Sequence, residues 1–257
     1  MKHLIYGIHA VNSHLQIYAE NVSCFYCIKG KKITKNLQFL INRAKQKNIP
    51  IKTINTIQFS QILKSYGCND KIIHQGVGII SDAKIKIYQE SELLGLLKQV
   101  KENTFILVLD CIQDPHNMGA CIRTSDAVGV DFIIFTKHKS VGINPVVHKI
   151  SCGASQNIRL VEVTNLVRTL QTLKKQGIWL VGLSGDVQTS LYDIDLTMPT
   201  ALIVGNEGNG LRLSTRKTCD YLAQLPMYGK IESLNISVAV GISMYELRRQ
   251  RNSSHPL

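Results

Sequence analysis

The chain has 257 residues, a formal net charge of +12, and 44% hydrophobic against 19% charged residues. That is enough apolar material to bury a proper core in one large domain or two smaller ones. The basic surplus favours a polyanionic partner, nucleic acid above all, over a merely basic soluble protein. No apolar run approaches the roughly 20 residues of a membrane span. The opening "MKHLIYGIHAVNSHL" lacks the long apolar core of a secretory signal. Seven scattered cysteines, an odd number, fit a reducing compartment, so a cytoplasmic protein is expected. Cys24 and Cys27 make one C-x-x-C inside a strand-like run, without a second pair or a histidine at zinc spacing. Core packing is their expected role, and no metal site is expected.

In chain order, "HAVNSHLQIY" reads as a helix and "VSCFYCI" as a strand. "NLQFLINRAKQKN" is helical, with Leu37, Leu40, Ile41 and Ala44 on one face, and Pro50 follows it. "IKTIN" is a strand, "IQFSQILKSYG" a helix closed by Gly67, and "VGIISDAK" a strand. These elements predict a small α/β domain over residues 1–82. Lys29, Lys31, Lys32 and Lys35, then Arg43, Lys45 and Lys47, cluster on its connections. They are either a solvated face or a surface that neutralises RNA phosphates. The polar stretch at 83–92 is the expected linker.

A larger α/β domain is expected over 93–257. "FILVL" is the fully apolar kind of strand, a helix is predicted from Asn117 to Val128 with Gly129 at its end, and "VDFIIF" is the next strand. Strand, helix and strand in that order imply a parallel sheet. "VTNLVRTLQTLKKQG" is amphipathic, with Thr164 as N-cap, a stripe of Leu166, Leu170 and Leu173, and a stop at Gly177. "IWLVGL" and "ALIVG" are further strands, and a helix is predicted from about Asn235 to Gln250.

Three stretches in this part carry chemistry. In "DPHNMGACIR", Asn117 can cap a helix, and Arg123 shares a face with Gly119, Ala120 and Ala127. An arginine among small residues has room to reach a phosphate or carboxylate, and an ordinary surface ion pair suits it equally. In "LIVGNEGNGL", a strand opens into Gly205, Asn206, Glu207, Gly208, Asn209 and Gly210. A tight turn explains the glycines but not the carboxylate between them. In "LPMYGKIESLNISVAVGISMYELRRQR", Leu225, Pro226 and Met227 end a strand, and Ser233, Leu234 and Asn235 lead into a helix. Its apolar stripe is Leu234, Val238, Ile242 and Tyr245. Arg248, Arg249 and Arg251 at its end are expected either to touch RNA or to be solvated.

These stretches, in this order and each at a strand end, resemble the motifs of the SpoU branch of the SPOUT (TrmH-like) RNA 2′-O-methyltransferases. The matching residues are "NMGACIR", "VGNEGNGL" and "PMYGKIESLNISVA". "IYGIHAV", "HQG" at 74–76 and "VTNLVRTL" extend the likeness over nearly the whole chain. They point to members that methylate a guanosine of 23S ribosomal RNA; transfer RNA or another ribosomal site is the alternative. Gln156 departs from the Glu common in relatives, outside the motifs. The resemblance implies a trefoil-knot catalytic domain and an amino-terminal RNA-binding domain like those of ribosomal proteins. It also implies a homodimer whose active sites draw on both subunits. S-adenosylmethionine is expected against backbone groups of Gly205, Leu225 and Leu234. Arg123, Asn117, Glu207, Ser233 and Asn235 are the expected catalytic set. Arginine keeps its proton at neutral pH, so the expected task of Arg123 is to orient RNA and stabilise a developing alkoxide rather than to act as a base. A non-enzymatic RNA-binding factor is the remaining reading, and it has no use for all of these polar residues.

Overall fold

The structure, a computed structural model, describes residues 2–30, 34–68, 74–83, 86–99 and 103–254. The chain forms two compact units: Met1–Ile85 with Ile143–Asn157, and Lys86–Gly142 with Ile158–Leu257. Lys31 and Lys32 of the basic cluster lie outside the described residues.

The first unit is built on a four-stranded sheet. Its strands are β1 (His3–Tyr6), β2 (Val22–Ile28), β3 (Ile51–Ile54) and β4 (Val77–Ser81), in the order β1-β4-β2-β3. β2 and β3 are parallel and the other pairs antiparallel. Helices α1 (Ile8–Ile17), α2 (Lys35–Gln46) and α3 (Thr56–Ser65) connect them. In α2, Leu37, Leu40 and Ala44 are buried and Ile41 packs partly buried beside them, the face that the 3.6-residue period predicts. Thr34 caps α2 by accepting from the Leu37 N–H at 3.3 Å. Asn55 and Gln58 close a reciprocal capping box on α3. Cys24 and Cys27 are buried free thiols in β2.

The second unit is built on a seven-stranded sheet in which every pairing is parallel, ordered β11-β9-β10-β6-β7-β8-β5. It begins with β5 (Ile87–Gln89), α4 (Leu93–Leu97), β6 (Phe105–Leu109), α5 (Pro115–Val128) and β7 (Phe132–Thr136). Residues 143–157, with α6 (Pro145–Ile150) and α7 (Ala154–Asn157), then belong to the first unit. The chain resumes the sheet with β8 (Arg159–Val163), α8 (Leu166–Lys175), β9 (Trp179–Leu183), β10 (Thr200–Val204), α9 (Leu213–Thr218), β11 (Tyr221–Ala223) and α10 (Ile236–Ser254). One core cluster joins Ile106, Val108, Phe132, Ile134, Val161 and Ile203 to Leu166, Leu170 and Leu173 of α8. The alternate strand residues Leu107, Leu109, Ile133 and Phe135 are also buried, so both sheet faces are covered. α5 and α10 pack on one another outside that cluster.

Several local expectations change. Residues 87–89 of the expected linker form an edge strand beside β8. Glu90 then holds the start of α8, accepting from Arg168 Nε at 2.8 Å and from the N–H groups of Thr164 and Asn165. Asn165, not Thr164, is the N-cap of α8, its side chain accepting from the Arg168 N–H at 3.1 Å. α5 starts at Pro115 with Asp114 as cap, because the Asp114 carboxylate accepts from the His116 N–H at 2.9 Å and leaves Asn117 one turn inside. β11 ends at Ala223, so Leu225, Pro226 and Met227 lie in the following loop. In α10 the buried face is Ile236, Val240, Ser243, Met244, Leu247 and Arg251. The stripe of Leu234, Val238, Ile242 and Tyr245 points outward, each residue at least 38% exposed.

Candidate active site

Strands of an open parallel sheet end on one edge, and ligands bind outside their carboxyl ends. Here the loops after β9, β10 and β11, with the approach to α10, enclose a cavity of about 550 Å³. Gly205, Glu207, Leu225, Ser233, Leu234 and Asn235 all line it. So do Leu183, Ser184 and Gly185 after β9, a stretch that the sequence reading passed over. A strand running into Ser-Gly-Asp at 184–186 was the available signal. The lining holds two carboxylates, Glu207 and Glu232, and no Lys, Arg or His.

The glycine-rich loop is folded tightly on itself. Asn206 and Gly210 exchange backbone hydrogen bonds at 3.0 and 2.9 Å. A Cβ on Gly205 would stand 2.0 Å from the Gly210 carbonyl carbon, so the loop demands glycine there. The Asn206 side chain accepts from the Gly208 N–H at 2.9 Å and donates to the Cys111 carbonyl at 3.1 Å, tying the loop to the end of β6.

The three motifs meet in one hydrogen-bonded chain. Asn117 Nδ2 donates to Glu207 Oε1 at 2.8 Å, and Asn117 Oδ1 accepts from Asn235 Nδ2 at 3.1 Å. Asn235 Oδ1 accepts from the N–H and hydroxyl of Ser237 at 2.9 and 2.6 Å, starting α10. Asn117 is 7% exposed, so its amide is aimed by this chain rather than by solvent. Burial, with a smaller push from the Glu207 charge, raises the nearby Cys121 thiol to about 12, leaving it an inert packing group.

Arg123 stands apart from this cluster. It is exposed on α5, does not line the cavity, and has no hydrogen bond or ion pair among the described residues. Of the carboxy-terminal arginines, Arg249 is solvated as expected, its side chain 65% exposed, whereas Arg248 and Arg251 are not. Arg248 donates from Nε to the Val128 carbonyl at 3.0 Å and from its fork to the Gly129 carbonyl at 3.2 Å, closing the end of α5. Arg249 pairs with Glu246 one turn back at 2.8 Å. Arg251 is 8% exposed and donates to the carbonyls of Asn103, Thr104, Leu196 and Met198.

Among known proteins, the model of the SpoU rRNA methylase family matches residues 104–245. That of the RNA 2′-O ribose methyltransferase substrate-binding domain matches residues 4–84. The chain is 40% identical to the 23S rRNA (guanosine-2′-O-)-methyltransferase RlmB of Coxiella burnetii, over 98% of this chain and 97% of that relative. It is 42% identical to the protein of that name from Xanthomonas campestris, over 96% of each. The fold matches that of the SpoU methyltransferase AviRb from Streptomyces viridochromogenes, solved in complex with AdoMet, with TM-score 0.74, 22% identity, and coverage of 98% and 91% of the two chains. With the family's residues spanning more than half of the sequence and relatives alike from end to end, the chain belongs to the SpoU rRNA methylase family.

Proposed function

We propose that this protein transfers a methyl group from S-adenosylmethionine to the ribose 2′-oxygen of a guanosine in 23S ribosomal RNA. The observation that carries this reading is the 40% identity, over 98% of the chain, to a protein named for that reaction. The site supports it independently. A cavity with two carboxylates and no cationic side chain, in a protein of net charge +12, suits a positively charged ligand. Gly205, Leu225 and Leu234 would offer backbone groups to the cofactor. When bound, S-adenosylmethionine supplies a methyl made electrophilic by its sulfonium.

The chain's own part is to place the ribose hydroxyl and to bear the charge that develops as its proton leaves. Asn117, fixed between Glu207 and Asn235, holds the rim of the cavity in one arrangement. Ser233 lies on the same rim. Arg123 serves as a charged donor to RNA: its exposure leaves the guanidinium fork free to grip a phosphate and, since it stands outside its own subunit's cavity, to stabilise the alkoxide at the site of a second subunit. The outward stripe of Leu234, Val238, Ile242 and Tyr245 supports a homodimer in which the partner's surface completes the site. The strand order and the return of α10 onto α5 and β10 support a trefoil-knot threading of residues 93–257. Residues 1–82 serve as the RNA-binding domain. Seven free cysteines support a cytoplasmic location.

The test is incubation with methyl-labelled S-adenosylmethionine and protein-free 23S ribosomal RNA or transfer RNA, followed by mapping of the methylated nucleotide. Label in 2′-O-methylguanosine of 23S RNA is expected. Label only in transfer RNA would replace the substrate, and no label in either would reduce the protein to an RNA-binding factor.

A further inference from the structure

One wall of the cavity needs an explanation that the motifs do not give. Ser184 and Gly185 line it, yet they sit in a short polar loop after β9 with no helix to stiffen them. Among the described residues, their backbone hydrogen bond is from the Ser184 N–H to the Ala223 carbonyl at 2.9 Å. The rest of the hold comes from side chains. Ser184 Oγ donates to Asp186 Oδ1 at 2.6 Å. Arg216 Nη1 donates to Ser184 Oγ at 3.1 Å and to the two Asp186 oxygens at 2.7 and 2.6 Å. Arg216 keeps the Asp186 carboxyl below its usual range, with a smaller share from Ser184.

Arg216 is itself anchored. It belongs to α9, which follows the glycine-rich loop on the cavity's other wall. Thr215 Oγ1, beside it, donates to Asp110 Oδ2 at 2.7 Å, and Arg212 Nη2 lies 2.7 Å from Asp110 Oδ1. Asp110 is fully buried at the end of β6. A short helix thus grips the central strand with one set of side chains and the loop 184–186 with another.

Neither Arg216 nor Asp186 lines the cavity, and their side chains are 29% and 65% exposed. An exposed pair of this kind adds little to global stability. Its value lies elsewhere: a loop ordered before the ligand arrives removes that ordering cost from binding. We propose that the Arg216–Asp186 pair, carried by α9 and seated on Asp110, is a latch that positions the Ser184–Gly185 wall and so sets affinity for the cofactor. Both are positioning residues, and the proposal rests on reading this cavity as the S-adenosylmethionine site.

The test is calorimetric titration of the full chain with S-adenosylmethionine, together with thermal melting and amide hydrogen exchange of the ligand-free protein. Arg216→Met and Asp186→Asn should each weaken the Kd roughly fivefold, the ordering cost of such a loop. The double variant should also lose roughly fivefold rather than the product of the two, because the losses share one contact. A single nitrogen makes all three contacts, so Arg216→Lys should stay within about twofold of wild type. Exchange at residues 184–187 should quicken in Arg216→Met without ligand, while the melting temperature moves only by about 2 °C. An unchanged Kd in Arg216→Met, or losses that multiply, would overturn the latch. Should Arg216→Met fail to fold, Asp186→Asn, on the exposed loop side, decides alone. If wild type does not bind S-adenosylmethionine, the reading of the cavity fails, and the exchange experiment still judges the latch.

Discussion

Arg123 is exposed without a partner among the described residues, and Arg251, in a run read as solvated or RNA-bound, is a buried brace. For Arg123, shape matters as well as charge, because a guanidinium can hold a phosphate through two parallel bonds and an ammonium cannot. Arg123→Lys should therefore lose at least about 100-fold in kcat, the scale of one oxyanion donor, while the Kd for S-adenosylmethionine stays put. Single-turnover methylation beside cofactor titration separates the two, and near wild-type kcat would remove the bidentate role. Arg251 answers to stability instead. Burial pulls its guanidinium down to about 10, which still leaves it charged at neutral pH and bonded to four carbonyls. Arg251→Met should cost about 3 kcal/mol, the scale for stranding buried carbonyls, read from urea midpoints.

At the scale of elements, legibility followed length. α2 and α8 span three turns, and their buried stripes match the apolar period that the sequence displays. β2, β6, β7, β9 and β10 are apolar runs in which a strand was readable. β5 and β11, three residues each, and α9, of six, are too short to leave a period. Their places are set by tertiary contacts such as Glu90 with α8 and Asp110 with α9. Asn117 was legible as a polar residue near a helix start, but its partners stand 90 and 118 residues away. The same holds for the packing of residues 143–157 in the first unit. There Gln156 Nε2 lies 2.7 Å from His14 Nδ1, and Ser81 Oγ lies 2.8 Å from His14 Nε2. Burial, helped by the charge of His3, lowers His14 to about 4, and burial with the charges of His14 and His3 does the same to His148. Both rings are therefore neutral in the fold and take up protons on unfolding. Stability should be full above pH 6.5 and fall as the pH drops towards 4, by roughly 3 kcal/mol for each ring. Urea unfolding across that range checks this, and His14→Asn should flatten the slope by about half.

For the whole molecule, the question is what covers α10. Its inner face fills the core through Val240, Met244 and Leu247, all 1% exposed or less. The outer face carries Val238, Ile242 and Tyr245 at helical spacing, exposed by 48%, 38% and 56%, and Leu234, just ahead of the helix and 39% exposed, extends this stripe. Scattered apolar residues on a surface need no account, but a contiguous stripe in a protein of net charge +12 does. RNA is a poor match for it, since phosphates seek cations and these side chains offer none. A second copy presenting the same stripe about a twofold axis sets apolar surface against apolar surface, as an isologous interface requires. The stripe also starts at Leu234, between Ser233 and Asn235 on the cavity rim, so its cover would close the site from one side. The double substitution Val238→Glu with Ile242→Glu leaves the core face untouched and sets like charges against each other across such an axis. It should convert a dimer to a monomer in sedimentation velocity, with the far-ultraviolet spectrum unchanged. Methyl transfer should drop with it by at least about tenfold, because alignment lost at a shared site costs rate. A variant that remains dimeric, or a monomer that methylates at the wild-type rate, would show that the stripe serves neither assembly nor the site.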